Sequence, residues 1–200
     1  MRDSPARVVL GIDPGTAVTG YGIVRKEGHN RLTLIECGVI RTKPRDALAR
    51  RLAEIHEGVT ELIRRHSPGV LSIEDVFYAR NVRTTVVLGH ARGVILLAGA
   101  QAGLEIHEFP PAEIKKAVAG SGGATKLQVQ FMVARLLRLK SAPQPTDAAD
   151  GVAAALAFAL APDLPATTRV EFPDLRALAR KAEAAGLAEI PGRTIGVRPS

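Results

Sequence analysis

The chain of 200 residues carries 27 Lys and Arg residues against 20 Asp and Glu residues, a formal net charge of +7. Hydrophobic residues make up 46% and charged residues 24%, a composition typical of globular proteins rather than disordered ones. No apolar stretch approaches the ~20 residues that cross a bilayer, and the first ten residues lack the apolar segment of a signal peptide. The sequence therefore predicts a cytoplasmic protein with no membrane partner, and its single cysteine excludes an internal disulfide.

The first half of the chain predicts four strands and one helix. Three β-branched runs with short connections favour an antiparallel meander, at residues 7–13, 20–24 and 31–40. Apolar residues then recur at helical spacing from Leu48 to Leu62, which predicts a helix ending before Ser67. The apolar run at 70–74 predicts a buried strand parallel to the first, because a helical crossover separates the two.

The second half predicts helices with one further strand. The expected elements are a helix at 84–103, a strand at 105–109, a short helix at 112–118, a helix capped by Thr125 and running to about Leu139, and an Ala-rich helix at 147–160 capped by Thr146. Gly151 is expected to loosen the first turn of that last helix. Beyond 161 the prolines become more frequent, which predicts a main domain at 1–161 and a partly disordered appendage at 162–200 with one short helix at 174–185.

The positive charge is concentrated in one segment. Residues 77–140 hold nine basic and three acidic residues, which accounts for nearly all of the net charge. Clustered positive charge favours a polyanionic partner such as a nucleic acid, because each neutralised phosphate releases counterions. A basic face that contacts only solvent explains the charge equally well.

Four carboxylates are expected to converge. Asp13 and Glu74 end two strands that should lie side by side and parallel, and Asp147 and Asp150 share one face of a helix. Crowded carboxylates repel unless a cation neutralises them, and Mg²⁺ or Mn²⁺ suits an all-oxygen site. Two such ions about 4 Å apart could clamp a phosphodiester during in-line displacement. Taken singly, each Asp is typical of a turn or of a helix N-terminus, so the hypothesis depends on convergence.

Ordered motifs across residues 7–161 carry a resemblance to a known family. They are GIDPGT at 11–16, TGYG at 19–22, IEDVF at 73–77, LGHARG at 88–93, KLQVQ at 126–130 and DAAD at 147–150. Together they resemble the RuvC family of bacterial Holliday junction resolvases. The resemblance implies an α/β, ribonuclease H-like fold with a five-stranded mixed sheet flanked by helices.

The resemblance also implies an activity and its partners. It implies a Mg²⁺-dependent endonuclease of DNA recombination and repair that nicks two strands of a four-way junction symmetrically, leaving 5′-phosphate and 3′-hydroxyl ends. The enzyme would act as a homodimer on junction DNA, with the RuvA and RuvB branch-migration proteins as partners.

Site residues follow from the matching motifs. Asp13, Glu74, Asp147 and Asp150 would be the catalytic, metal-binding carboxylates, holding two Mg²⁺ ions with Mn²⁺ as a substitute. The DNA-binding residues would be Phe77, stacking on a base, and Lys115 and Lys126, contacting phosphate. Arg80, Asn81 and Arg83 follow Phe77 in the sequence and are candidates for further phosphate contacts. Core packing for Phe77 and a solvated helix surface for the lysines are the alternatives.

Two other classes of function remain open from the sequence. A phosphotransferase of the actin and sugar-kinase type shares a glycine-rich Asp turn, but it needs a second lobe with its own phosphate loop. A non-catalytic DNA-binding protein would need only the basic segment. That reading leaves four carboxylates unexplained, because they repel DNA unless a metal ion intervenes.

Overall fold

A mixed five-stranded sheet with helices on both faces forms the centre of the protein. The computed structural model describes residues 6–28, 31–75 and 82–161. The elements in chain order are β1 (Arg7–Asp13), β2 (Val18–Glu27), β3 (Arg31–Arg41), α1 (Leu48–His66), β4 (Val70–Glu74), α2 (Val82–Gln101), β5 (Glu105–Phe109), α3 (Pro111–Ala119), α4 (Lys126–Leu136) and α5 (Thr146–Leu160).

The strand order is β3-β2-β1-β4-β5. The strands β1, β2 and β3 form the expected antiparallel meander. The strand β4 pairs in parallel with β1, with Ile12 opposite Ile73, and β5 pairs in parallel with β4. The predicted five-stranded mixed sheet is therefore confirmed, and the carboxyl ends of three neighbouring strands lie at one edge.

Side-chain alternation along the strands divides the core into two layers. Leu10, Ile12, Leu71 and Ile73 point to the face covered by α1 and α2. Val9 and Val70 point to the opposite face, where α5 crosses the sheet. Successive residues of a strand point to opposite faces, so the parity of each position decides which layer it joins. The parity at the strand ends also decides which side chains face α5.

The helix α5 is buried along most of its length. Its residues from Ala148 to Ala159 are almost all inaccessible to solvent. Seven of these buried residues are alanines, and Gly151 and Val152 are buried beside them. Small side chains let a helix backbone approach a sheet closely. None of the described helices is long and apolar enough to cross a bilayer.

Most element boundaries agree with the sequence, with two differences in the last two helices. The helix α4 ends at Leu136 rather than at Leu139, although Thr125 caps its start as expected. The prediction that Thr146 caps α5 is wrong, because Pro145 occupies the N-cap position and no side chain caps this helix. The prolyl ring holds the extended backbone that a side-chain cap would otherwise stabilise. Residues 162–200, with the helix expected at 174–185, lie outside the described residues.

Candidate active site

Asp13 and Glu74 lie at the ends of two adjacent parallel strands. Their preceding residues, Ile12 and Ile73, are paired in the sheet, so the two acidic residues leave the same edge next to each other. Both occupy strand positions that face α5, in the same parity as Val9 and Val70. The structure thus brings together the two strand-end carboxylates that the sequence singled out.

Close backbone contact between α5 and β2 brings the other two carboxylates to this edge. A Cβ atom added to Gly20 would lie 1.9 Å from the Asp147 carbonyl oxygen, and one added to Gly151 would lie 2.5 Å from the Tyr21 backbone nitrogen. Only glycine permits an approach of this kind. Gly151 lies inside α5, and its missing side chain lets the helix rest directly on β2. The expectation that Gly151 loosens the first turn stays a prediction.

The charges of the four carboxylates act on one another. Burial, together with the negative charges of Glu74, Asp150 and Asp147, raises the pKa of Asp13 to about 7. Burial and the nearby Asp150 also raise the pKa of Glu74. Each additional negative charge makes ionisation of its neighbours less favourable, so this cluster strongly favours a compensating cation.

Two lysines supply positive charge at the same place. Lys126 Nζ lies 2.7 Å from Asp150 Oδ2, and this hydrogen bond raises the pKa of Lys126. Lys115 and Lys126 both lower the pKa of Glu74. These lysines and three of the carboxylates line a cavity of about 240 Å³. The described residues that line it are Asp13, Glu74, Pro111, Ile114, Lys115, Lys126, Val129, Asp150 and Ala153.

The donor set of this cavity suits a hard divalent cation. The available ligand atoms are carboxylate oxygens, and their mutual repulsion would be relieved by a 2+ charge. As the side chains stand, no group of three or more His, Cys, Asp or Glu residues in the described part of the chain is arranged to enclose an ion. Lys126 is the cation that contacts Asp150 in this arrangement. The chemistry of the residues therefore fits a metal ion, and the Lys126 ammonium group would compete with that ion for the Asp150 carboxylate.

Several predicted DNA contacts fall on residues that the structure does not describe. Phe77, Arg80 and Asn81 lie in the stretch 76–81, outside the described residues. Arg83 belongs to the first turn of α2, where only the backbone is described. Their roles remain predictions.

The sequence did not reveal the residues that hold the turn after Asp13. Thr42 Oγ1 donates a hydrogen bond to the Thr16 carbonyl oxygen at 2.5 Å, and Arg51 Nε donates to the same oxygen at 3.2 Å. Thr19 Oγ1 donates to the Gly15 carbonyl oxygen at 2.6 Å. Thr19 lies in a motif noted above, whereas Thr42 and Arg51 follow no pattern that could have identified them.

Comparison with known proteins agrees with the motif resemblance. The family model described as crossover junction endodeoxyribonuclease RuvC matches residues 9–158. The chain belongs to the RuvC family. It is 47% identical over 152 residues to the RuvC of Pelotomaculum thermopropionicum, across 76% of this chain and 92% of the relative. It is 46% identical over 167 residues to the RuvC of Rubrobacter xylanophilus, across 84% and 93% of the two chains.

Solved structures show the same relationship. The structure of Thermus thermophilus RuvC in complex with Holliday junction substrate matches with a TM-score of 0.73 and 36% identity, over 77% of this chain and 93% of that one. The yeast mitochondrial Holliday junction resolvase Ydc2, 14% identical with a TM-score of 0.53, shares the fold. The ribonuclease H-like fold and the nuclease family are thus confirmed. Nucleases of this family are metal-dependent. The match to an endodeoxyribonuclease family, rather than to a kinase or a non-catalytic family, removes the support for the phosphotransferase and for the non-catalytic DNA-binding protein.

Proposed function

We propose that this chain resolves four-way DNA junctions by metal-dependent, symmetric nicking of two strands during recombination and repair. The observation that carries the proposal is the cavity in which Asp13, Glu74 and Asp150 meet two lysines, in a chain of the RuvC family. Anionic ligands for cations beside cationic groups for phosphate are the two requirements of phosphodiester hydrolysis.

We expect Asp13, Glu74, Asp147 and Asp150 to hold the metal, as two Mg²⁺ ions with Mn²⁺ as a substitute. When bound, the ions would supply a Lewis acid to the scissile phosphate and lower the pKa of the attacking water. Asp13 and Glu74 extend from paired strands, which keeps their separation constant. Because burial and neighbouring charge raise the pKa of both groups, they must lose their protons before they act as ligands.

The chain's own cations would act on the phosphate. Lys126 pairs with Asp150 but its side chain is 55% exposed, so the ammonium group is accessible to an incoming phosphate. Lys115 lines the same cavity. The described residues that line this cavity include neither serine nor cysteine, so we assign the nucleophile to water. Attack on phosphorus and departure of the 3′ oxygen would leave a 5′-phosphate and a 3′-hydroxyl.

Recognition of the junction would involve the basic segment 77–140. We expect Phe77 to stack on an unpaired base at the crossover, a contact typically worth about 1–3 kcal/mol. Arg80, Asn81 and Arg83 would contact the phosphates beside it. The solved complex of the Thermus relative with a Holliday junction supports four-way DNA as the substrate.

Two symmetric cuts require two active sites, and we propose a homodimer formed through α2. Val86 and Leu97 are 53% and 44% exposed on this helix. They are eleven positions apart, or three helical turns, and so lie on one face. Between them Gly89 and Gly93 would meet no atom within 4 Å if they carried a Cβ. Because two cuts require two active sites, we infer that a second copy of the chain covers this exposed apolar face.

The remaining expectations concern the setting of the enzyme. We propose that it acts in the cytoplasm after the RuvA and RuvB proteins have moved the junction. We also propose that residues 1–161 form the nuclease domain and that residues 162–200 are a separate appendage. A chain ending at Ala161 should then fold and cut junctions, and failure of the truncated chain to fold would contradict this boundary.

Cleavage assays test the function directly. A synthetic four-way junction and a linear duplex of the same sequence are incubated with the protein in Mg²⁺, Mn²⁺ or EDTA. We expect paired symmetric nicks in the junction with either metal and none with EDTA. The nicks should be sealed by DNA ligase, because the ends carry a 5′-phosphate and a 3′-hydroxyl. Equal cutting of the linear duplex, or cutting in EDTA, would contradict the proposal.

A further inference from the structure

Arg92, a residue of the LGHARG motif, joins three elements on the α2 side of the sheet. Its Nη2 atom lies 3.1 Å from Asp75 Oδ1 and also forms an ion pair with the Glu108 carboxylate. Asp75 is the first residue beyond β4, and Glu108 is the penultimate residue of β5. One guanidinium on α2 therefore ties the ends of two adjacent strands to the helix.

Strand parity places this ion-pair cluster on the face opposite the candidate active site. Glu74 faces α5, so Asp75, the next residue, faces α2. In β5, Phe109 packs on the α5 side, whereas Ile106 and Glu108 point towards α2. The Arg92 side chain therefore lies on the α2 side of the sheet, and the strands separate it from the cavity.

The backbone strengthens the connection between this cluster and Glu74. The Asp75 amide donates a hydrogen bond to the Phe109 carbonyl oxygen at 2.8 Å, which continues the β4–β5 pairing one residue past Glu74. Without Arg92, the Asp75 and Glu108 carboxylates at the ends of paired strands would lose the guanidinium group that they share. Their repulsion would act directly on the peptide that follows Glu74.

We propose that Arg92 is a positioning residue for the nuclease reaction. By neutralising Asp75 and Glu108 together, it holds the end of β4 in register with β5 and thereby fixes the Glu74 carboxylate beside Asp13. Misplacement of a catalytic group by about 1 Å can reduce a rate roughly a hundredfold. The chemical step therefore depends on an arginine that does not touch the substrate. This role rests on the nuclease function proposed above.

The test compares Arg92→Met and Arg92→Lys with Arg64→Met. Arg64 is also a helical arginine in an ion pair with a carboxylate, but it lies on the exposed surface of α1 and pairs with Glu61. Three quantities are measured for each protein: the single-turnover nicking rate, the junction affinity in Ca²⁺, and the hydrogen exchange of the Asp75 amide. Ca²⁺ is used as a metal that should permit binding without cutting.

For Arg92→Met we expect faster exchange of the Asp75 amide and a nicking rate lower by roughly tenfold to a hundredfold. The affinity for the junction should stay within about threefold of wild type, or less than about 1 kcal/mol, because Arg92 lies on the opposite side of the sheet from the cavity. For Arg92→Lys we expect an exchange rate and a nicking rate between those of wild type and Arg92→Met, because the ammonium group keeps the positive charge but lacks the size and fixed geometry of the guanidinium group. Arg64→Met should match wild type in all three measurements.

Two results would overturn the positioning role. One is a nicking rate for Arg92→Met equal to that of Arg64→Met, and the other is a loss of affinity as large as the loss of rate, which would indicate direct contact with DNA. If Arg92→Met does not fold, Glu108→Gln and Asp75→Asn are measured in the same way, and unchanged rates would refute the proposal. If wild type fails to cut junctions, the nuclease function is refuted, while exchange of the Asp75 amide still decides whether Arg92 anchors β4.

Discussion

Lys126 Nζ lies 2.7 Å from Asp150 Oδ2, and this pair joins the start of α4 to the start of α5 at the edge of the sheet. Thr125 ends the preceding loop and forms a reciprocal capping box with Gln128, which defines where α4 begins. Lys126 is therefore the first residue of a well-defined helix. Because Lys126 lies between the carboxylates and the solvent, it lowers the pKa values of Asp13 and Glu74 and is also placed to bind a phosphate.

Lys126→Met should slow cleavage and shift its pH dependence. Removing a cation that contacts a reacting phosphate costs about a hundredfold in rate. Lys126 lowers the pKa of both Asp13 and Glu74, so its loss should raise both values and move the acidic limb of the pH–rate profile to higher pH. Single-turnover rates between pH 5.5 and 9, at constant metal concentration, measure the shift. Lys116→Met, which changes an exposed lysine of α3, should leave the profile unchanged.

Asp13→Asn should abolish cleavage and stabilise the metal-free protein in a pH-dependent way. The pKa of Asp13 is raised from an ordinary value of 3.8 to about 7. The folded protein therefore holds this proton more tightly than the unfolded chain, so the free energy of unfolding falls as pH rises from 3.8 to about 7. Removing the charge should raise the melting temperature in EDTA more at pH 8 than at pH 4.

Metal addition provides the control for that measurement. At pH 8, Mg²⁺ should raise the melting temperature of wild type, because a ligand that binds only the folded state stabilises it. The rise should be smaller for Asp13→Asn, which lacks one ligand. An equal gain in melting temperature at pH 4 and pH 8 for this variant would contradict the raised pKa of Asp13.

Gly151→Ala should destabilise the fold and impair cleavage together. The new Cβ atom would lie 2.5 Å from the Tyr21 backbone nitrogen, so α5 and β2 would have to move apart. Overpacking of this kind costs about 1–3 kcal/mol in the free energy of unfolding, measured by urea denaturation. Gly69→Ala is the matched control, because a Cβ there meets no atom within 4 Å. A Gly151→Ala protein as stable and active as wild type would show that α5 tolerates displacement.

Leu97→Glu should convert the proposed homodimer into monomers. A carboxylate in the centre of an apolar interface would be desolvated without a partner, which strongly disfavours association. Sedimentation velocity measures the change in mass, and the monomer should no longer cut both strands in one encounter. Leu127→Glu alters a leucine that is 77% exposed on α4 and should leave the dimer intact. A Leu97→Glu protein that remains dimeric would place the interface elsewhere.

The sequence predicted the local elements well because their signals are local. The apolar stripe from Leu48 to Leu62 defines α1 within a few residues, and the β-branched run at Val70–Glu74 defines β4. The Thr146 cap failed for an equally local reason, since the proline before it already provides the N-cap backbone. The expected neighbourhood of Asp13 and Glu74 required only the rule that a helical crossover joins parallel strands.

By itself, the sequence determined the family, the strand and helix order, and the residue types of the acidic cluster, because periodicity and motif order survive without coordinates. Only the tertiary structure decided how Gly20 and Gly151 let α5 meet β2, how Lys126 pairs with Asp150, and how Arg92 ties β4 to β5. Each of these depends on the distance between elements that are remote in the chain. Such distances follow from the packing of the whole core, and no stretch of sequence specifies them alone.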